Sequence, residues 1–138
     1  MKWEHNLSRA TVHFFKYKLP AILWALLIFI GSSIPASKLP KIPPYVSDKL
    51  IHTVLYCIFG LLFYLALEPK KAPENFQWKR LMLMLLVVMV YGGIDEFHQH
   101  FVPGRTMDMY DFIADTVGGL IAVLFIVKSY WSNRVKSS

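Results

Sequence analysis

Four apolar runs dominate the chain, each closed off by a short polar stretch: Leu19 to Ile34, Leu50 to Leu67, Leu81 to Ile94 with an extension through Phe97, and Met109 to Val127. Each is near the length that about 30 Å of hydrocarbon requires, the first and third only with their flanks. Backbone polar groups in lipid must pair within their own segment, so these runs are expected to be helices. The pattern predicts an all-α polytopic membrane protein, a four-helix bundle with transmembrane helices over about 19–34, 48–67, 79–99 and 107–129, forming one membrane domain over residues 1–138.

The polar stretches fix how the helices connect. Ser32 to Ser47 holds Pro35, Pro40, Pro43 and Pro44, which forbid a regular helix and suggest an extended lid or surface loop. Ser47 suits the N-cap of the second helix. Glu68 to Arg80, broken by Pro69 and Pro73, reads as an ordinary hydrophilic connection. The basic start, Met1 to Lys18, resembles the n-region of a signal peptide, but no A-x-A-like cleavage site follows and the first helix is needed to complete the bundle. Tyr130 and Trp131 are placed to anchor the last helix at an interface.

Charge orients the bundle. The N-terminal stretch, the second connection and the C-terminal tail carry eleven lysines and arginines, whereas the first and third connections carry four: Lys38, Lys41, Lys49 and Arg105. The positive-inside rule makes both termini cytoplasmic. The net charge of +6 is then an orientation signal with an attraction to anionic membrane lipids, and gives no reason to expect nucleic acid. The single cysteine, Cys57, lies within an apolar run and reads as a small packing residue.

With that orientation, six of the nine carboxylates fall at the non-cytoplasmic ends of their helices. The stretch Tyr91 to Gly119 is the densest, with Asp95, Glu96, Asp108, Asp111 and Asp115 beside His98, Gln99, His100 and Arg105. Gly92, Glu96 and Gln99 share a helix face, as do Asp95 and Gln99. Asp108, Asp111 and Asp115 are spaced i, i+3 and i+7, which lines three carboxylates along one side of one helix, and Gly119 continues the row. For Asp108 the alternative is a solvated helix end. Asp115 falls about two turns inside an apolar helix, where a lone charge costs a few kcal/mol. At the start of the second helix Asp48 and His52 stand one turn apart, so the carboxylate can fix an imidazole tautomer or share a proton or metal with it; Asp48 also suits a first-turn cap. Tyr56, on the same side, is a polar wall or an aromatic packing residue. Gathered charges inside membrane helices point to a single outward-facing cavity.

The motifs Asp48-Lys-x-x-His52, Asp95-Glu96-x-x-Gln99, Phe101-x-Pro103-Gly104-Arg105, then Asp111 and the pair Gly118-Gly119, in this order on successive helices, resemble the signature of the VanZ-like membrane proteins, named after a teicoplanin-resistance protein. The likeness runs from about Ile34 to Val127. In one respect the chain departs from it: Asp115 stands where that family commonly has Asn, which keeps an acceptor, adds an ionisable proton and loses the amide donors. The resemblance implies a small polytopic protein of the bacterial cytoplasmic membrane, linked in one member to glycopeptide tolerance.

Three functions stay open on this reading. In the first, the protein is an enzyme of the cell envelope acting on a lipid-linked cell-wall intermediate or membrane lipid. His52, Glu96, Asp48 and Asp111 are then the candidate catalytic groups, and Arg105, Gln99, Lys49, Asp108 and Asp115 hold the substrate. Arg105 would grip a phosphate or carboxylate, and His52 or Glu96 would move the proton. The carboxylates would also suit a divalent cation such as Mg²⁺, Ca²⁺ or Mn²⁺, although no known metal-ligand spacing occurs and no cofactor is identified. The second function is a binding or transport module for a small cation or lipid head group; four helices are few for a carrier, which an oligomer would remedy. The third is an ion network of structural purpose, weakened as a reason by the small stability such networks supply.

Overall fold

Each apolar run is helical in the computed structural model, which describes residues 11–39, 48–67 and 75–136. Helix α1 is Thr11–Ser32, α2 is Asp48–Ala66, α3 is Asn75–Gln99 and α4 is Met109–Lys136, with no strand among the described residues. All four are long and apolar enough to cross a membrane. Large apolar side chains such as Leu26, Leu83, Leu120 and Leu124 point outward, the arrangement lipid stabilises and water would not. The capping role expected of Ser47, the proline-rich residues 40–47, the loop at 68–74 and the basic residues Lys2 and Arg9 lie outside the described residues.

Local chemistry sets the helix ends. Helix α1 starts before its apolar run because a π-helical turn, Phe14–Lys18, precedes the regular α-helix Leu19–Ser32, and Leu19 N–H reaches back to the Phe14 carbonyl. Pro20, at the start of the regular part, has no N–H to give. After Ser32 the chain tightens, Ser33 and Ile34 bonding to Phe29 and Gly31, then turns extended at Pro35 and forms a 3₁₀ turn, Ala36–Lys38. Helix α4 starts at Met109, so Asp108 is not part of the helical row. It is the N-cap: its side chain accepts from Tyr110 N–H at 2.8 Å and its carbonyl from the N–H groups of Asp111 and Phe112.

Helices α2 and α4 make the most extensive contact, with α3 against both. Gly118 allows that approach, because a Cβ there would collide with the Thr53 carbonyl oxygen and crowd Cys57 N. The core between them holds Tyr56, Phe59, Tyr64, Leu81, Met84, Val88 and Ala122, joined by Ile28 from α1. Half-buried Cys57 packs against it, as expected of a small apolar residue. Helix α1 leans on this three-helix core through two long-range bonds to backbone, Trp24 Nε1–H to the Leu55 carbonyl at 2.9 Å and Tyr91 O–H to the Ala25 carbonyl at 2.7 Å.

A tight turn joins α3 to α4. Phe101, Val102 and Arg105 N–H groups bond to His98, Gln99 and Val102 carbonyls, and Gly104 takes φ +77°, a conformation costly for a side chain. The Pro103 carbonyl accepts from Ala36 N–H, which clips this turn to the end of α1. The end of α1, the start of α2, the end of α3 and the start of α4 therefore meet at one end of the bundle.

Candidate functional site

The polar residues converge at that end. The first turn of α2 supplies Asp48, Lys49 and His52; the last turns of α3 supply Asp95, Glu96 and Gln99; α4 supplies Asp111 and Asp115; the turn before it supplies Arg105 and Asp108. Buried among them are His52, Asp95, Glu96, Gln99, Asp111 and Asp115, the last at 0 % exposure, while Asp48 is exposed and Lys49, Arg105 and Asp108 are intermediate.

The outer groups brace the helices. Lys49 Nζ donates to both Asp108 and Asp111, tying α2 to the start of α4. The Lys49 ammonium, helped by the Tyr110 N–H, holds the Asp108 carboxyl below the usual carboxylate range. Arg105 spans three elements: Nε donates to the Ile34 carbonyl at 3.3 Å, Nη2 to the Gly31 carbonyl at 3.2 Å and Nη1 to Gln99 Oε1 at 3.4 Å. A guanidinium at the carbonyl end of α1 is the favourable charge for that end of a helix. These three bonds leave two of the five guanidinium N–H groups for another acceptor.

Deeper in, the imidazole and carboxylates face one another. His52 Nδ1 lies 2.9 Å from Asp115 Oδ1. Glu96 Oε2 accepts the Asp108 backbone N–H at 2.9 Å, and the Gln99 amide donates to Asp95 Oδ2 and Glu96 Oε1, both at 3.3 Å. One potential ligand atom from each of His52, Glu96 and Asp115 falls within 4.8 Å of the others, and the same holds for Asp48, His52 and Asp111. Three oxygens of this layer, Asp95 Oδ1, Asp115 Oδ2 and the Tyr56 hydroxyl, have no hydrogen-bond partner among the described residues.

A cavity of about 270 Å³ gives access between α1 and α2. Leu27, Leu39, Ile51 and Leu55 make its apolar side; Asp48, His52, Tyr56, Asp95, Gln99 and Arg105 make its polar floor. A second hollow of about 220 Å³, bounded by Met107, Met109 and Phe112, reaches Glu96 and Asp108 from the far side of α3.

The sequence grouping of His52 with Glu96 thus corresponds to close approach, and Arg105 shares a cavity wall with His52 but not with Glu96. His98 and His100 stand apart, the first tilted against the Phe29 ring at a centroid distance of 4.7 Å and the second exposed. Asp95 and Tyr56 contribute more than their spacing announced. The sequence spacing pairs Asp95 with Gln99 and assigns it no role, and Tyr56 is both packing residue and polar wall, its ring parallel to His52 and its hydroxyl buried. The i, i+4 step from His52 to Tyr56 was the signal for the latter. Gly92 was legible only as part of a face; a Cβ there would stand 2.9 Å from Asp115 Oδ2, so its bareness makes room for the deepest carboxylate.

Comparison with known proteins adds three findings. The family model described as VanZ/LLP1 matches residues 18–130. An uncharacterized protein of Schizosaccharomyces pombe is 27% identical over 114 residues, covering 82% of this chain and 65% of the relative, so the chain spans just under two thirds of that protein. No solved structure matches.

Proposed function

This multi-pass membrane chain belongs to the VanZ/LLP1 family, and from that premise we propose that its polar chamber receives the phosphate-bearing head group of a membrane lipid or lipid-linked envelope molecule. One observation carries the reading: a single cavity joins an apolar wall of Leu27, Leu39, Ile51 and Leu55 to a floor of His52, Asp95, Gln99 and Arg105. That pairing suits an amphiphile, whose chain needs the wall and whose head needs the floor. The two remaining N–H groups of Arg105 match a phosphate oxygen pair, and His52, which lines the same cavity, is the group placed to exchange a proton with a bound head group, with Glu96 behind it. The relative in fission yeast favours a ligand shared by fungal and bacterial membranes, a phospholipid-type head group, over an intermediate confined to a bacterial wall.

In the orientation favoured by lysine and arginine counts, the chamber opens to the outside of a bacterial cytoplasmic membrane. Glycopeptide tolerance would follow there if the bound molecule were an envelope precursor. Lys49, Asp108 and Asp111 support a second, structural reading for themselves alone, since their mutual pairing braces α2 against α4.

The test uses purified protein in nanodiscs with phosphatidylglycerol, polyprenyl phosphate or diacylglycerol added, binding followed by native mass spectrometry and products by thin-layer chromatography. The two phosphate lipids are expected to be retained over diacylglycerol. Ile51→Trp, which fills the apolar wall without touching the floor, is expected to release them. Equal retention of all three lipids would sink the proposal.

A further inference from the structure

Among the described residues, no lysine or arginine neutralises the deep carboxylates. Lys49 is engaged by Asp108 and Asp111, and Arg105 bonds to two carbonyls and an amide oxygen. Among the described residues this leaves Asp95, Glu96 and Asp115, at 4 %, 3 % and 0 % exposure, with the His52 imidazole in contact and no lysine or arginine bonded to any of them. Their partners are dipoles, the Gln99 amide and the Asp108 N–H. Buried carboxylates in that condition are expensive unless a cation or protons join them.

The orphaned oxygens point to a cation. Asp95 Oδ1, Asp115 Oδ2 and the Tyr56 hydroxyl are buried without a partner among the described residues. Asp95 and Tyr56 line the cavity that His52 also lines, and the Tyr56 ring and Asp115 Oδ2 converge beside Gly92. Asp115 Oδ2, an unpartnered acceptor on a side chain at 0 % exposure within ligand spacing of His52 and Glu96, is what an ion gathers.

We propose that His52, Glu96 and Asp115 bind a divalent cation of the Mn²⁺ or Mg²⁺ class, bridging α2, α3 and α4. Their ligand atoms all lie within 4.8 Å of one another. With metal–ligand bonds of about 2.0–2.6 Å, opposite ligands of one ion stand about 4–5 Å apart, so these atoms are spaced to share one ion. One imidazole nitrogen and two carboxylate oxygens form a mixed hard set that Mn²⁺ accepts readily and Mg²⁺ tolerates, the other positions going to water or a ligand oxygen. The Asp48, His52 and Asp111 set competes for the same imidazole, but Asp48 is exposed and Asp111 already has Lys49. That the ion would meet a lipid phosphate rests on the head-group reading; its binding does not.

Mn²⁺ titrated into chelator-treated, purified protein with no lipid ligand added, and followed by electron paramagnetic resonance, tests the site. One tightly held Mn²⁺ per chain is expected, displaced by excess Mg²⁺ and carrying a nitrogen coupling in pulsed spectra that His52→Gln removes. Glu96→Gln and Asp115→Asn should each weaken it by more than about tenfold, the scale on which loss of even a supporting residue is felt. Asp48→Asn should change it by less than about twofold. Both carboxylate changes are near-isosteric, so if one variant loses helical content by circular dichroism the other decides. Absence of Mn²⁺ binding by folded protein would overturn the proposal, and so would binding that survives Glu96→Gln and Asp115→Asn or disappears with Asp48→Asn. Lipid retention that persists in chelator while Mn²⁺ fails to bind would remove the cation site and leave the head-group reading standing.

Discussion

At the scale of single residues, the chamber separates groups that hold it together from groups that face its interior. Arg105 is of the first kind as well as a candidate for the second. Its three bonds go to acceptors on two separate segments, a fork that an ammonium cannot reproduce. Arg105→Lys is therefore expected to recover little of the loss caused by Arg105→Ala, each lowering stability in detergent by about 1–3 kcal/mol, measured by thermal unfolding. Asp108 gives a pH signature. Because Lys49 lowers its carboxyl in the folded protein, the stabilisation is present above the ordinary aspartate range and is lost as pH falls through the lowered value. Melting temperature is expected to fall more steeply below about pH 4 in the native protein than in Asp108→Asn; parallel curves would show that the pair contributes nothing. Asp115, where VanZ-like chains commonly carry Asn, is expected to accept Asn without unfolding, since the Asp115–His52 bond needs only an acceptor. A large drop in melting temperature that added cations do not reverse would count against that.

At the scale of helices, small residues and caps do what apolar pattern alone does not. Gly118→Ala pushes a methyl group into the backbone of α2 at Thr53, which has no side-chain freedom to yield, and should cost about 1–3 kcal/mol in thermal unfolding. Gly31→Ala has nothing within 4 Å of the new carbon and should be neutral or slightly stabilising, as expected for alanine in a helix. Equal effects at the two positions would show that α2 and α4 are not set by close backbone approach. Much of this level was legible in the sequence. Period and length placed four helices, and the i, i+4 step from Asp111 to Asp115 put both on the buried face. What was not legible depended on tertiary partners. Asp108 looked like the first member of that row, yet the turn before Met109 makes it a cap. Arg105 and Arg80 read as loop cations, yet each closes the end of a helix it does not belong to: Arg105 takes the Gly31 carbonyl of α1 and the Ile34 carbonyl just beyond it, and Arg80, against the Tyr64 ring at 4.4 Å, takes the Tyr64 carbonyl of α2 and the Leu67 carbonyl just beyond it.

At the scale of the whole molecule, the orientation remains a matter for labelling. In a Cys57→Ala background, Ser37→Cys and Thr106→Cys are expected to react with an impermeant thiol reagent on intact cells and Ser137→Cys only after permeabilisation; the reverse pattern would place the chamber on the cytoplasmic side. The sequence brought the polar groups to one end because alternating helices leave no other arrangement, but it gave no sign that α1 would be a loosely applied wall. That wall is fastened by Trp24 to the Leu55 carbonyl, by Tyr91 to the Ala25 carbonyl and by Arg105 to the Gly31 and Ile34 carbonyls. Every acceptor is main chain, present whatever amino acid occupies the position. Mutational tolerance should therefore be lopsided: in a saturation library scored for folded protein, Ala25, Ile34 and Leu55 should admit many replacements of like polarity, while Trp24, Tyr91 and Arg105 should admit few.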